Sequence, residues 1–408
     1  MMPTRGKFTI LKQVMDIIPK HLVPKLSKVH GLDEKSRTFS VWSHLLAMIH
    51  CQLSCARSLN DVCDTLKNHA SALSTIRDAT PPSRNGLSHS NKVRSADMAE
   101  DLFWSILSGL KNQFPNFGNH SKKKFKLPRR FKRAINIVDS TTIQLVANCM
   151  DWAKHRRRKA AAKCHMRLDA QSFLPSFALV KSADSHDSKE AIELCADIKA
   201  GEIVIFDKAY IDFVHLSTLN QRGVFWVSRA KDNMAYKICK KRKVEKGSTI
   251  VSDFEIKLTT PKSADAYPER LRLVVADVEV DEKIIRMSFI SNNLDWAPTS
   301  IADLYKARWN IEVFFKQIKQ TLQLGSFMGY SENAVRWQVW TALLTYVLLR
   351  FVEYMSRWQG SFARIFTLIR GVLWSRVELY NVIELCGTAK DRIKAPQPCL
   401  QLVIKGLW

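Results

Sequence analysis

Asp139, Asp207 and Glu312 are the residues of this sequence placed where chemistry can be done. Asp139 closes the run INIVD and Asp207 the run IVIFD, each an apolar β-type stretch that ends in a carboxylate. A carboxylate at the C-terminal end of a strand lies where open α/β sheets place their sites. For either Asp alone, a turn or helix N-cap role is the simpler account. Glu312 belongs to YKARWNIEVFFKQIKQTLQL, which runs from Tyr305 to Leu324. Wound as one helix at about 100° per residue, this stretch gathers Tyr305, Arg308, Glu312, Lys316 and Lys319 within roughly 80° of arc. Ile311, Phe314, Phe315, Ile318 and Leu322 fall on a neighbouring arc that can pack inward. A solvated face with Arg308–Glu312 and Glu312–Lys316 pairs accounts for the polar strip by itself. A lone carboxylate among cations and a phenol also suits a site for metal and phosphate.

The elements that must position these residues follow from hydrophobic periodicity. Residues 1–115 show helical spacing in FTILKQVMDIIP, FSVWSHLLAMIHCQL, SLNDVCDTLKNHASAL and SADMAEDLFWSILSGL, with Ser58 and Ser95 as N-caps and DATPPSRNGLSHSN as a turn. Short helices around such turns build ordinary bundles more often than DNA readers. Residues 116–133 form a basic linker containing Lys122, Lys123, Lys124, Arg129 and Arg130, either a solvated connector or an arm that tracks phosphates with Phe125 and Phe131 interleaved. From 134 to 223 the pattern is strands, then KEAIELCADIK as a helix, then the strand ending at Asp207, then IDFVHLSTLNQRG as a helix stopped by Gly223. That order points to an α/β core with a crossover. Residues 224–295 alternate at period two and are expected to be an all-β insertion, with KKRKVEK as a basic loop. The core resumes over 296–355, and 356–408 is a helical C-terminal region.

Lys and Arg number 63 against 38 Asp and Glu, and a net charge of +25 favours a polyanionic partner, most simply nucleic acid. An anionic membrane is the other polyanion, and neither a secretory signal at MMPTRGKFTILKQ nor an apolar anchor supports it. AVRWQVWTALLTYVLLRFVEYM (334–355) is interrupted by Arg336, Gln338 and Arg350 and is expected to be a buried helix. The nine cysteines are scattered without a CxxC pair, as in a reduced cytosolic protein rather than a zinc site.

With Asp139-Ser140-Thr141, Asp207-Lys208-Ala209-Tyr210, and Tyr305, Arg308, Glu312 and Lys319 in place, the sequence resembles the DDE transposases of bacterial insertion sequences, in the insertion-sequence-four group. The last four residues keep that family's Y-(2)-R-(3)-E-(6)-K spacing without departure. The resemblance spans about residues 134–355, and the N-terminal helices are similar to a domain that precedes the core in one branch of the family. It implies an α/β RNase H-like catalytic core interrupted by the all-β insertion, with an all-helical N-terminal domain for DNA-end recognition and a helical C-terminus. It implies a cut-and-paste transposase acting on double-stranded DNA, at inverted-repeat ends and target DNA, as a homodimer in the synaptic complex, in the bacterial cytoplasm at the nucleoid. Asp139, Asp207 and Glu312 would hold two Mg²⁺ ions, with Mn²⁺ as a substitute, because hard oxygen ligands suit these ions and in-line phosphoryl transfer uses a metal pair. Tyr305, Arg308 and Lys319 would hold DNA phosphates beside them, and Lys316 lies on the same strip. Trp226, Trp296 and Trp309 are candidates to stack a base flipped from a hairpin, though core packing is the simpler role for each. Asp169, Asp184 and Asp187 lack the strand-end pattern and are set aside; His186 is able in principle to ligate metal, but a loop hydrogen bond is the simpler role. Two other functions remain open: an RNase H-like nuclease without strand transfer, and a DNA-binding protein descended from a transposase that no longer cuts.

Overall fold

The computed structural model describes residues 3–32, 39–118, 131–145, 154–156, 159–182, 187–245, 247–280, 282–322 and 329–386. In chain order the first elements are helices α1 (Ile10–Met15), α2 (Leu22–Val29), α3 (Val41–Ser54), α4 (Leu59–Asn68), α5 (Ala70–Ser74), α6 (Arg84–Val93) and α7 (Asp97–Gln113). Strands β1 (Ile135–Leu145), β2 (Lys154–Arg156), β3 (Lys159–Asp169) and β4 (Leu174–Ser182) follow. Then come α8 (Asp187–Leu194), β5 (Ile203–Phe206), α9 (Phe213–Gln221), β6 (Phe225–Arg229), β7 (Tyr236–Lys241), β8 (Ile250–Leu258), α10 (Pro261–Ala266), β9 (Leu271–Val280) and β10 (Lys283–Ser291). The chain closes with α11 (Pro298–Lys306), α12 (Trp309–Lys316), α13 (Glu332–Met355), α14 (Phe362–Gly371) and α15 (Leu379–Cys386). The described residues divide into two compact units, one drawn from Met1–His120, Ile143–Ala161 and Phe315–Trp408, the other from Ser121–Thr142 and Ala162–Phe314.

The first unit is helical around α3 and α13. Every residue of α3 from Val41 to Leu53 is buried, so it has no solvated face and must be enclosed by other helices. α13 supplies much of that enclosure, packing on α3, α6, α7 and α14. The helical segment at the N-terminus therefore shares its core with the chain's C-terminal helices. α13 is nearly all buried, and no helix among the described residues is long and apolar enough to cross a membrane. Ser58 caps α4 as expected, in a reciprocal capping box with Asp61. Two local expectations fail. The segment read as a turn contains α6, which Ser83 caps by accepting from the Gly86 N–H at 3.0 Å, with Leu87, Ser90 and Asn91 buried; Asn85-Gly86 suggested a turn, but the preceding Pro-Pro-Ser is a helix start. Ser95 lies one residue before the cap of α7, which is Ala96.

The second unit is built on one mixed sheet. β1 and β5 are parallel with Val138 opposite Phe206, and β5 and β6 are parallel with Ile203 opposite Phe225. β10 then pairs antiparallel with β6, and β9, β8 and β7 continue outward in that order. β3 and β4 form an antiparallel hairpin on the other flank. The apolar runs of β1, β5 and β6 are buried because the parallel part is covered on both faces, and Val138, Val204, Phe206, Trp226, Leu216 and Leu219 share one core cluster. Gly223 ends the α9 segment in the left-handed region, φ 71°, as the sequence required. The stretch 224–295 departs from the all-β expectation. It contains α10, started by Pro261 in its first turn, and its first and last strands, β6 and β10, pair with each other and extend the core sheet.

The stretch Tyr305–Leu324 is not one helix. α11 ends at Lys306, α12 begins at Trp309, and Gln317–Thr321 is a π-helical turn. At the break the backbone makes three-residue bonds, Arg308 N–H to Tyr305 O at 2.9 Å, Asn310 N–H to Ala307 O at 3.0 Å and Ile311 N–H to Arg308 O at 3.0 Å. This tightening rotates Tyr305 and Glu312 relative to the arc drawn for a straight helix. The apolar side survives: Ile311, Phe314, Phe315, Ile318 and Leu322 are all buried.

Candidate active site

β1 and β5 bring the first two carboxylates together. Their parallel pairing ends at Val138 opposite Phe206, so Asp139 and Asp207 are each the next residue on adjacent strands. β1 itself runs on past Asp139 to Leu145, so this carboxylate stands where the pairing with β5 ends rather than where the strand ends. Asp139 accepts the Ser140 N–H at Oδ1, 2.8 Å, and an Arg308 Nη1–H at Oδ2, 2.8 Å. The other arm of the same guanidinium donates to Glu312 Oε1 at 2.6 Å. Arg308 thus joins the β1 carboxylate to the α12 carboxylate. Tyr305 donates its hydroxyl to Asp207 Oδ1 at 3.2 Å, and the Arg308 guanidinium lies 5.6 Å from the Tyr305 ring centre.

The electrostatics follow from this crowding. Burial raises the Asp139 carboxyl to about 6; Arg308 and the Ser140 N–H oppose the rise, and Asp207 and Glu312 add to it. Burial likewise pushes the Tyr305 phenol up to about 12, so it stays a neutral donor to Asp207. Burial works against the Arg308 charge, but Tyr305, Asp139 and Glu312 outweigh it and hold the guanidinium protonated. Its Nε is buried without a hydrogen-bond partner. Among the described residues no three His, Cys, Asp or Glu side chains stand together as a ready metal cage. The cation between Asp139 and Glu312 is Arg308.

A family model described as a transposase DDE domain matches residues 130–348, more than half of the chain. The chain belongs to the DDE transposase family. A second model, a domain of unknown function (DUF4372), matches residues 7–76. The Sinorhizobium fredii protein y4zB, named as a proposed transposase, is 30% identical over 256 residues, 62% of this chain and 70% of its own length. A protein of Geobacillus stearothermophilus named as a proposed transposase of insertion sequence element IS5377 is 29% identical over 55% of this chain and 58% of its own length. Transposase InsG of insertion sequence element IS4 from Escherichia coli is 24% identical over 46% of this chain and 42% of its own length. The chain is thus a transposase-class enzyme, although it spans less than two thirds of the latter two relatives.

The remaining candidate residues of this DDE transposase are placed as follows. Lys316 is exposed at the end of α12, and Lys319 lies in the π-helical turn. Both belong to the helical unit, whereas Tyr305, Arg308 and Glu312 belong to the sheet unit. Lys122, Lys123, Lys124, Arg129 and Arg130 lie outside the described residues, as do Asp184 and His186. Trp226 is fully buried, edge-on to Tyr267 at 6.0 Å, and offers no face to a base. Trp296 packs on Phe225 and is part-exposed, as is Trp309. Asp169, expected to lack a strand-end position, in fact closes β3 and accepts the N–H groups of Gln171 and Ser172 in the turn that follows. Asp187 is different. It accepts from Ser140, the neighbour of Asp139, and its significance was hidden because the link spans 47 residues. The only sequence hint was Ser140 within the Asp-Ser-Thr motif.

Proposed function

We propose that this chain cuts and joins DNA at the ends of an insertion element by in-line phosphoryl transfer at Asp139, Asp207 and Glu312. The observation that carries the proposal is that Asp139 and Asp207 directly follow the last paired residues of two adjacent parallel strands, while Arg308 joins Asp139 to Glu312 and Tyr305 donates to Asp207. The donor set fits a divalent metal. It is all oxygen, as Mg²⁺ and Mn²⁺ prefer, and Asp139 already pairs with one cation, the Arg308 guanidinium at 2.8 Å. Asp139, Asp207 and Glu312 would hold it. When bound, two such ions supply charge to the attacking and leaving oxygens. Tyr305 stays protonated and keeps Asp207 oriented. Arg308, once its carboxylates bind metal, is free to turn its planar fork to a DNA phosphate, with Lys316 and Lys319 as further phosphate holders. Trp296 and Trp309 retain exposed surface for stacking a flipped base. Inverted-repeat ends and target DNA are the substrates, a homodimer assembles the synapse in the cytoplasm at the nucleoid, and the sheet unit is an RNase H-like core. The net charge of +25 supports a DNA partner.

A labelled transposon end incubated with Mg²⁺ and resolved stepwise on a gel tests this. Asp139→Asn, Asp207→Asn and Glu312→Gln should each lose nicking by at least a thousandfold while retaining end binding. Nicking at wild-type rates in any of the three removes that carboxylate from the site.

A further inference from the structure

A second polar cluster lies behind the carboxylates in the sheet unit. Asp187, the first residue of α8, accepts at a single oxygen, Oδ1, from Ser140 Oγ at 2.9 Å and from Lys163 Nζ at 2.8 Å. The same oxygen is 3.5 Å from Nδ1 of His165, which is fully buried. His165 Nδ1 also faces the Tyr210 hydroxyl at 3.2 Å. The two ends of this chain of contacts are informative. Ser140 follows Asp139 directly, and its N–H donates to the Asp139 carboxylate. Tyr210 closes the 3-10 turn Lys208–Tyr210 that Asp207 begins, and its N–H bonds to the Asp207 carbonyl at 3.0 Å. One network, part-buried at Ser140, Lys163 and Asp187 and buried at His165 and Tyr210, therefore reaches both segments that carry metal-binding candidates, from a helix and a strand that carry none. Half-burying Lys163 and Asp187 beside the fully buried His165 costs desolvation that apolar residues of the same volume would avoid. Fixing two neighbouring segments in register is a use that offsets such a cost.

We propose that Asp187 is a positioning residue for the cutting site: through Ser140 it fixes the backbone that orients Asp139, and through His165 and Tyr210 it ties down the turn after Asp207. Asp187 itself touches neither substrate nor metal. Partners that orient a ligating carboxylate typically change metal affinity about 10- to 100-fold when removed. The inference rests on the proposed metal site, and the test separates the two.

The measurement is Mn²⁺ binding to the full chain without DNA, followed by the electron paramagnetic resonance signal of free Mn²⁺, with thermal unfolding of each metal-free variant alongside. Asp139→Asn should abolish binding. Ser140→Ala and Asp187→Asn should each weaken it about tenfold, the double variant should be no weaker than the worse single, and Ser140→Thr should restore it. Ser140→Ala removes one part-exposed hydroxyl and carries the test should Asp187→Asn fail to fold. Wild-type affinity in Ser140→Ala and Asp187→Asn, with Asp139→Asn impaired, overturns the positioning role and leaves the metal site standing. Losses that add in the double variant overturn it too, since the two residues would then act separately. Unchanged binding in Asp139→Asn overturns the metal site and the positioning role with it.

Discussion

Arg308 decides how the site behaves without metal. It spans Asp139 and Glu312 with separate nitrogens, a geometry a single ammonium cannot reproduce. Removing it leaves Asp139, 16% exposed, beside the negative charges of Asp207 and Glu312 with no cation bonded to it. Arg308→Ala should therefore destabilise the metal-free protein by about 1.5–3 kcal/mol, the range for charged hydrogen bonds. Mg²⁺ should stabilise this variant more than it does wild type, because the ion then meets no competing cation. Arg308→Lys should fall between the two in thermal unfolding and should not restore strand transfer. Equal melting temperatures and equal Mg²⁺ shifts in all three proteins would show that the guanidinium does not neutralise the site. The neighbouring placement of Asp139 and Asp207 was legible in the sequence because two apolar β runs each close on an Asp, although β1 itself runs on to Leu145. The contacts of Arg308 were not, since a straight helix predicts only the Glu312 pair and says nothing of the β1 carboxylate. Asp187 was illegible for a related reason: its partner Ser140 is brought to it by the sheet and not by local spacing.

At the scale of elements, α3 carries two buried histidines that give the helical unit a defined acid response. His44 has Nε2 on the Asn91 side chain at 2.7 Å and its ring against Trp337, and His50 packs on Trp374, whose ring also stacks on His69, with both His50 ring nitrogens lacking hydrogen-bond partners. Burial drives His44 down to about 3, with the Asn91 bond opposing and Arg94 assisting, and drives His50 down to about 4, with His69 assisting. The unfolded chain takes up these protons near pH 6.5 and the folded chain does not. Stability contributed by the neutral rings is thus complete above pH 6.5 and declines as pH falls from there toward 4, by about 1.4 kcal/mol per unit for each histidine. Urea midpoints measured between pH 7.5 and 4.5 should fall, and His50→Gln should flatten the slope. A His50→Gln profile parallel to wild type would contradict the burial of that ring. The helices themselves were readable from period and caps, as Ser58 shows. The break at Ala307 and Arg308 was not, because no Gly or Pro marks it. α6 was missed because Asn85-Gly86 outweighed the Pro-Pro-Ser start.

At the scale of the whole molecule, the packing of α13 on α3, α6 and α7 changes what the N-terminal segment can do alone. The linear pattern suggested an independent helical domain over 1–115, because local periodicity cannot show that the enclosing helix arrives more than 200 residues later. A fragment of residues 1–133 should lack a cooperative urea transition by circular dichroism, whereas the full chain should show one and should bind inverted-repeat DNA with steep salt dependence. Cooperative unfolding of the fragment would restore the independent domain. The charge of the chain and the order of its α/β core were legible throughout; the extension of the core sheet by β10, β9, β8 and β7 was not, since strand periodicity does not say which strand pairs with which. The central claim is that Asp139, Asp207 and Glu312 form one metal-dependent cutting site. Anomalous diffraction from crystals of the full chain grown with Mn²⁺ and a transposon-end duplex tests it most directly. The account predicts manganese peaks bonded to carboxylate oxygens of all three residues, with Arg308 turned from Asp139 to a DNA phosphate. Manganese bound elsewhere, with Arg308 still bridging Asp139 and Glu312, would contradict it.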